Sequence, residues 1–118
     1  MEKNNLIQTK SFEFALNIIK LYQNLQNNKE FVISKQLLRS ATNIGANIEE
    51  ALGAVSKKDF QNKMSISCKE ARESKYWLRL LENSKLVDLN YSSYLTDVTS
   101  IINILTKIIK TSSSNNNL

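Results

Sequence analysis

Proline is absent from this sequence of 118 residues, and glycine occurs only at Gly45 and Gly53. Tight turns, hairpins and phosphate-binding loops rely largely on these two residue types. Their scarcity favours long helices joined by short connections. At this length a chain builds one sizeable core but not two. We therefore expect one all-α domain over residues 1–111, followed by a disordered tail over residues 112–118, where serine and asparagine dominate.

Apolar residues recur at alternating intervals of three and four, which predicts four amphipathic helices over about 10–26, 33–54, 57–82 and 91–110. Connections as short as those between them require neighbouring helices to run antiparallel. The predicted fold is an antiparallel up-down-up-down four-helix bundle. The apolar seams are Phe14, Ile18, Leu21 and Leu25 in the first helix; Ile33, Leu37, Ala41, Ile44, Ile48, Ala51 and Val55 in the second; Phe60, Met64, Ser67, Ala71, Ser74, Leu78 and Leu81 in the third; and Tyr91, Leu95, Val98, Ile102, Leu105 and Ile109 in the fourth.

Ser56 followed by Asp59 resembles a capping box, which places the start of the third helix near Lys57. Gly53, just before it, is suited to end the second helix. Gly45 lies inside the second helix, where a missing side chain permits close approach of a neighbouring helix at a cost of about 1 kcal/mol in propensity.

The fourth helix carries more apolar surface than one seam requires. Ile101, Ile104 and Ile108 flank its seam, so nearly half of the circumference is apolar. Trp77 of the third helix lies in line with carboxylates, a composition typical of interfaces. We expect these four residues to form part of an interface between subunits. The alternative for Trp77 is that it shields the edge of the bundle.

The second helix bears a polar stripe at intervals of four, four and three: Arg39, Asn43, Asn47 and Glu50. Asparagine is a poor residue for a helix interior, so two of them in line indicate hydrogen bonding beyond water alone. The stripe predicts a ladder at a contact with a helix or subunit. The alternative is a solvated face.

The third helix has a basic face, and the whole chain carries a net charge of +5. Such a face favours anionic partners, RNA or DNA first among them, although charge alone is unspecific. The alternative is a solvated face in which Lys69 pairs with Glu73. The face comprises Lys58, Lys69, Arg72, Lys75 and Arg79.

Catalytic machinery is missing from the sequence. Histidine is absent and Cys68 is the single cysteine, so no nucleophile pairs with a base and no structural zinc site is expected. We predict no catalytic residues, no enzymatic activity, no cofactor, no metal and no small-molecule substrate. The apolar runs are too short for a transmembrane helix and the polar N-terminus resembles no secretion signal, which predicts a cytoplasmic protein with no membrane partner.

Three blocks of sequence resemble a known family: Gln36–Ala41, Asn47–Ala51, and Phe60 with the run Lys69–Leu81. They are similar to the bacterial four-helix bundle proteins encoded in intervening sequences of 23S ribosomal RNA genes, over roughly residues 10–110. The second block usually reads Asn-Ile-Ala-Glu-Gly in that family, whereas Glu49 and Ala51 stand here.

The resemblance implies a four-helix bundle that assembles into a homo-oligomer, typically a ring of five, with no established enzymatic activity. More distantly, the sequence resembles the accessory variability determinant proteins of diversity-generating retroelements, which are basic pentameric barrels that engage reverse transcriptase and nucleic acid. The expected function is therefore an oligomeric scaffold that binds nucleic acid, with structured RNA as the first candidate. The alternative is a protein-interaction module without nucleic-acid binding.

Overall fold

The computed structural model describes the backbone of residues 2–116 and the side chains of residues 4–113. Four helices make up the fold: α1 (Glu2–Asn27), α2 (Ile33–Leu52), α3 (Lys57–Ser84) and α4 (Ser92–Asn116). Each helix packs against two neighbours, in the pairs α1 with α2, α2 with α3, α3 with α4, and α4 with α1. The helices therefore enclose one central core.

The direction of the helices follows from their lengths and connections. The shortest helix, α2, has 20 residues and spans about 30 Å. The longest connection, residues 85–91, reaches roughly 25 Å even when fully extended. No connection can return along a neighbouring helix, so successive helices run antiparallel. The principal extents of 51 × 21 × 21 Å fit four helices that lie side by side along one long axis.

The predicted seams form the core. The first-helix seam of Phe14, Ile18, Leu21 and Leu25 is buried, and Ile7 extends it by one heptad. This extension explains why α1 begins at Glu2 and not near Lys10 as predicted. Val55 is the exception among the seam residues, because α2 ends at Leu52 and leaves Val55 in an exposed turn.

The ends of the helices are fixed by particular side chains. Ser56 is the N-cap of α3, and its hydroxyl accepts a hydrogen bond of 3.0 Å from the backbone N–H of Asp59, as the capping motif predicts. The Glu30 carboxylate accepts hydrogen bonds from three backbone N–H groups in the first turn of α2, those of residues 32–34. The sequence analysis did not anticipate this cap. The Glu30 carboxylate thus satisfies backbone N–H groups at the start of α2, where the N-cap residue, Val32, makes no side-chain hydrogen bond to the helix.

The fourth helix runs further than predicted. No glycine or proline interrupts the polar residues after Lys110, and α4 continues to Asn116. Serine and asparagine lower helix propensity by only a few tenths of a kcal/mol each, so an existing helix can extend through them. The rest of the predicted tail, residues 117–118, lies outside the described residues.

Buried serines line the contact between α2 and α3. The hydroxyls of Ser40 and Ser74 lie 2.8 Å apart, and the Ser67 hydroxyl donates a hydrogen bond of 2.8 Å to the backbone carbonyl of Ile44. Among the described side chains, no buried polar atom lacks a hydrogen-bond partner. On the other side of α2, Gly45 faces Ser11 of α1, whose Oγ would lie 3.4 Å from a Cβ at position 45. Small side chains thus hold α2 close to both neighbours.

Candidate nucleic-acid interface

The predicted polar stripe of α2 lies against α3. Arg39 forms ion pairs with two carboxylates of α3, Glu70 at 3.4 Å and Glu73 at closer range. Glu50, at the other end of the stripe, pairs with Lys63 of α3 at 2.9 Å. The hydrogen bond to Glu50 and the charge of that carboxylate raise the pKa of Lys63 above its ordinary value. The two charged ends of the stripe are therefore interhelical contacts within one chain.

Asn47 behaves differently from the charged ends of the stripe. Asn47 donates from Nδ2 to the backbone carbonyl of Asn43 at 2.8 Å, which is a bond within α2. The expectation that Asn47 bonds across to a neighbouring helix is therefore wrong for its amide nitrogen. The reason is local. In a helix, the side chain of Asn47 lies within reach of the backbone carbonyl four residues earlier, that of Asn43, so its amide can donate a hydrogen bond without a partner helix.

Trp77 belongs to the same cluster. Its Nε1 donates to the Glu73 carboxylate at 3.1 Å, while its ring is half-buried and packs against the core. Its ring lies edge to face with Tyr76, with centroids 5.2 Å apart and planes at 63°. Trp77 thus covers the edge of the bundle, which was the alternative given for it. No partner subunit is needed to explain its position.

The apolar surplus of α4 is absorbed by the bundle. Ile101 and Ile108 are buried in the core, and Ile104 is half-buried against it. The wide apolar arc of α4 therefore does not by itself require a second subunit to cover it. A helix in a four-helix bundle contacts two neighbours, α1 and α3 in this case, so its buried arc is wider than a single seam.

An exposed apolar stripe lies on α1 instead. Phe12, Leu16 and Ile19 are exposed, Phe12 at 65%, and their intervals of four and three place them on one face of the helix. That face points away from the core residues Phe14 and Ile18. The sequence analysis missed this stripe, although its spacing is visible in the sequence.

Three residues of the predicted basic face line one groove between α3 and α4. The groove has a volume of about 480 Å³, and none of the described residues that line it is acidic. The cations come from α3 and the uncharged polar side chains from α4. We call this surface the α3–α4 groove; its lining residues are Arg72, Lys75, Tyr76 and Arg79 from α3, and Thr99, Ile102, Asn103 and Thr106 from α4.

The other two residues of the predicted basic face lie outside the groove. Lys69 is exposed one turn before Arg72, so it can extend the groove along α3. Lys58 is in the first turn of α3, roughly 20 Å along the helix axis from Arg72 at 1.5 Å per residue. The structure therefore does not bring Lys58 to the groove.

Two further lysines lie near the groove on α4. Lys107 and Lys110 are exposed and follow Asn103 at intervals of four and three, so they continue the same face of α4. The sequence analysis considered only the charges of α3. The same spacing rule, applied to the fourth helix, identifies these two.

The charges of α3 are divided between its two sides. On the side that faces α2, Glu70 and Glu73 both pair with Arg39, which offsets one of their two negative charges, and Lys63 pairs with Glu50. On the side that faces α4, Arg72, Lys75 and Arg79 form no ion pair with any described residue. Glu73 pairs with Arg39 of α2, and not with Lys69 as the alternative interpretation of the basic face expected. The groove consequently presents uncompensated positive charge.

Fold and surface together define a four-helix bundle with one basic groove and an exposed apolar stripe. Within the described residues, no group of three potential metal ligands lies close enough to hold an ion. In that part of the chain, no helix is long and apolar enough to cross a membrane.

Comparison with known proteins places this bundle in a family. Residues 3–107 match the family of the 23S rRNA-intervening sequence proteins, and the chain belongs to that family. A crystal structure of a protein with unknown function from the S23 ribosomal protein family of Bacteroides thetaiotaomicron VPI-5482 is similar, with 49% sequence identity and a TM-score of 0.88. The match covers 92% of this chain and 98% of that one. No curated protein matches the chain.

The two departures from the family pattern fit the structure. Glu49 is exposed, and its carboxylate accepts a hydrogen bond of 2.8 Å from Gln8 of α1, so a large side chain is accommodated there. Ala51 is buried in the last turn of α2, and the helix ends at Leu52 with Gly53 as its C-cap. With alanine at position 51, the helix continues to Leu52.

Proposed function

We propose that this protein is a non-catalytic, homo-oligomeric RNA-binding scaffold of the cytoplasm, and that it binds RNA through the α3–α4 groove. The observation that carries the proposal is the division of charge on α3. Arg72, Lys75 and Arg79 converge on the groove without a carboxylate partner, whereas the carboxylates Glu70 and Glu73 are held on the opposite side.

Unpaired cations at fixed positions favour a polyanion for a physical reason. Lys75 and Arg79 are four residues apart on one helix, where like charges repel by a few tenths of a kcal/mol. A phosphate between them removes that repulsion and releases counterions from the nucleic acid. Arginine also binds phosphate through two parallel hydrogen bonds, which adds geometric fit to charge.

Self-association would multiply this site. The exposed stripe of Phe12, Leu16 and Ile19 is the surface that we assign to contact with a second copy, in place of the α4 residues. A ring of five, as the family resemblance implies, needs this stripe to contact a different surface of the next subunit. Five grooves at fixed spacing would bind one RNA far more tightly than one groove does.

RNA binding is tested by comparing two triple variants with the same net charge. The first variant replaces Arg72, Lys75 and Arg79 by Gln; the control replaces Lys35, Lys57 and Lys85, which are exposed outside the groove. Each phosphate contact contributes about 0.7 to 0.9 to the slope of log affinity against log salt. We expect the groove variant to lower this slope by roughly 2.

The control should retain most of the affinity and of the slope, since it removes the same charge from other surfaces. Equal losses in both variants would show that binding follows net charge and not the groove. A parent protein that binds no RNA at near-physiological salt would refute the proposal and favour the interaction module.

Self-association is tested by Leu16→Glu, with Thr96→Glu on the exposed surface of α4 as the control. Sedimentation at micromolar concentration should show a multiple of 13.5 kDa for the parent and the control, and a smaller assembly for Leu16→Glu. A monomeric parent, or an unchanged assembly of Leu16→Glu, would contradict the assignment of the stripe.

A further inference from the structure

Tyr76 stands at the rim of the α3–α4 groove with 52% of its surface exposed. It lies four residues after Arg72 and three residues before Arg79, so the three side chains share one face of α3. The tyrosine is thus an accessible aromatic ring between two guanidinium groups. The charge of the groove does not require an aromatic residue at this position.

The ring of Tyr76 rests on a fixed support. Trp77 contacts it edge to face at 5.2 Å, and Trp77 is itself packed on the core and hydrogen-bonded to Glu73 at 3.1 Å. Glu73 is held in turn by Arg39 of α2. A ring supported in this way loses little freedom when a flat ligand stacks on it, which lowers the entropic cost of binding.

We infer that Tyr76 stacks on an unpaired base, so that the groove binds single-stranded nucleic acid in preference to duplex; this inference rests on the proposed function. A base inside a duplex is already stacked on its neighbours and cannot reach a ring on a helix surface. Single strands, loops and bulges offer free base faces, and aromatic side chains bind them with little dependence on sequence.

The positions of the cations fit a strand that runs along α3. Arg72 and Arg79 are separated by roughly 10 Å along the helix axis, at 1.5 Å per residue, with Tyr76 between them. Phosphates on either side of the stacked nucleotide would meet one arginine each. The opposite wall supplies the Asn103 amide and the Thr99 hydroxyl, which can both donate and accept hydrogen bonds at a base edge.

The test measures the affinity of labelled oligonucleotides by fluorescence anisotropy: an unstructured RNA, a DNA of the same sequence, and the RNA duplex of the same length. The variants are Tyr76→Leu, Tyr76→Phe, and Phe31→Leu as an exposed aromatic control outside both the groove and the apolar stripe of α1. We expect Tyr76→Leu to weaken single-strand binding by about 5- to 100-fold, as loss of one stacked base implies. Tyr76→Phe and Phe31→Leu should keep the affinity within about twofold, because the first keeps the aromatic ring and the second changes a residue outside the groove.

Trp77 supplies a second readout, because it is the single tryptophan and touches the Tyr76 ring. Its emission should change when the single strand binds to the parent protein, and change less in Tyr76→Leu. The RNA and DNA arms identify the source of the strand, since a preference for RNA points to contacts with the 2′-hydroxyl.

The outcomes separate this inference from the proposed function. If the parent binds nucleic acid through the groove cations but Tyr76→Leu binds the single strand equally well, or if duplex and single strand bind alike, the stacking inference is refuted and the proposed function stands. If the parent binds none of the three probes, the proposed function itself has failed.

Discussion

Replacing Arg39 by Gln should destabilise the bundle without removing a cation from the groove. Arg39 joins α2 to α3 through Glu70 and Glu73, and its side chain is 46% exposed while those of its partners are 19% and 35% exposed. Partly exposed ion pairs contribute about 0.2 to 1 kcal/mol each after solvent screening. Without the arginine, the two carboxylates lie three residues apart on α3 and repel each other by a few tenths of a kcal/mol more. The free energy of unfolding should therefore fall by about 1 to 2 kcal/mol.

The measurement is urea unfolding followed by circular dichroism, at one protein concentration and at two salt concentrations. Because charges on the surface are screened beyond about 10 Å at 0.1 M salt and about 3 Å at 1 M, the loss should shrink at high salt. Arg72→Gln is the matched control. Its guanidinium forms no ion pair with a described residue, so its free energy of unfolding should change by less than about 0.5 kcal/mol.

The order of the two variants should be reversed for RNA binding, with the larger effect in Arg72→Gln. Arg72→Gln removes a cation of the groove and should weaken binding. Arg39→Gln should weaken it much less, because Arg39 reaches the groove only indirectly, through Glu73 and Trp77. The reasoning fails if the two variants unfold at the same urea concentration. It also fails if the loss for Arg39→Gln is the same at both salt concentrations.

Three further substitutions, with Ile19→Ala as the control for the first, test the core and its polar contacts. Ile101→Ala should lower the free energy of unfolding by about 2 to 5 kcal/mol, because it opens a cavity in the core. Ile19→Ala on the exposed stripe should change the free energy of unfolding of the subunit by less than about 1 kcal/mol. Thermal unfolding of both variants at equal protein concentration checks this pair of predictions. Tyr91→Phe should cost about 1 kcal/mol at neutral pH through its lost hydrogen bond to the Val87 carbonyl. Burial, with smaller contributions from neighbouring acidic groups, raises the pKa of Tyr91 above 10, so the parent should lose stability as the pH rises beyond 10 and the variant should lose less of it; parallel loss in both would contradict this. Asn47→Leu should shift the urea midpoint little, because the bond that it removes lies within α2, and a loss above about 1 kcal/mol would show a contact to another helix or subunit.

The fold could be predicted because its signals are local and repeated. The heptad seams identify all four helices, and the Ser56 cap marks the start of α3 correctly. The ends of α1 and α4 were less predictable, since polar residues at a helix end can continue or break a helix without a local signal. Ile7 continues the seam of α1 seven residues before Phe14, and that one residue marks the earlier start.

The candidate site was only partly predictable. Helical spacing gathers Arg72, Lys75 and Arg79 on one face, but it does not reveal which neighbouring helix forms the other wall. That wall depends on how far α4 is shifted along α3, which tertiary packing decides. The same limit applies to Ile101 and Ile108, because the width of the buried arc of α4 depends on two neighbours and not on its own sequence.

The buried serines between α2 and α3 have a consequence for how the chain selects one arrangement. Purely apolar seams with a repeat of seven residues can slide past each other by whole turns at little cost, since one methyl group replaces another. The pair Ser40 and Ser74, and the bond from Ser67 to the Ile44 carbonyl, match in one alignment of the two helices. The hydroxyls of Ser40 and Ser74 also reach carbonyls of their own helices, so a slip by one turn would remove their mutual contact but not these bonds. The Ser67 hydroxyl would lose its bond to α2, at about 1 to 3 kcal/mol if it stayed unsatisfied. These small hydroxyls therefore favour one alignment of α3 along α2, the alignment in which Arg39 also meets Glu70 and Glu73.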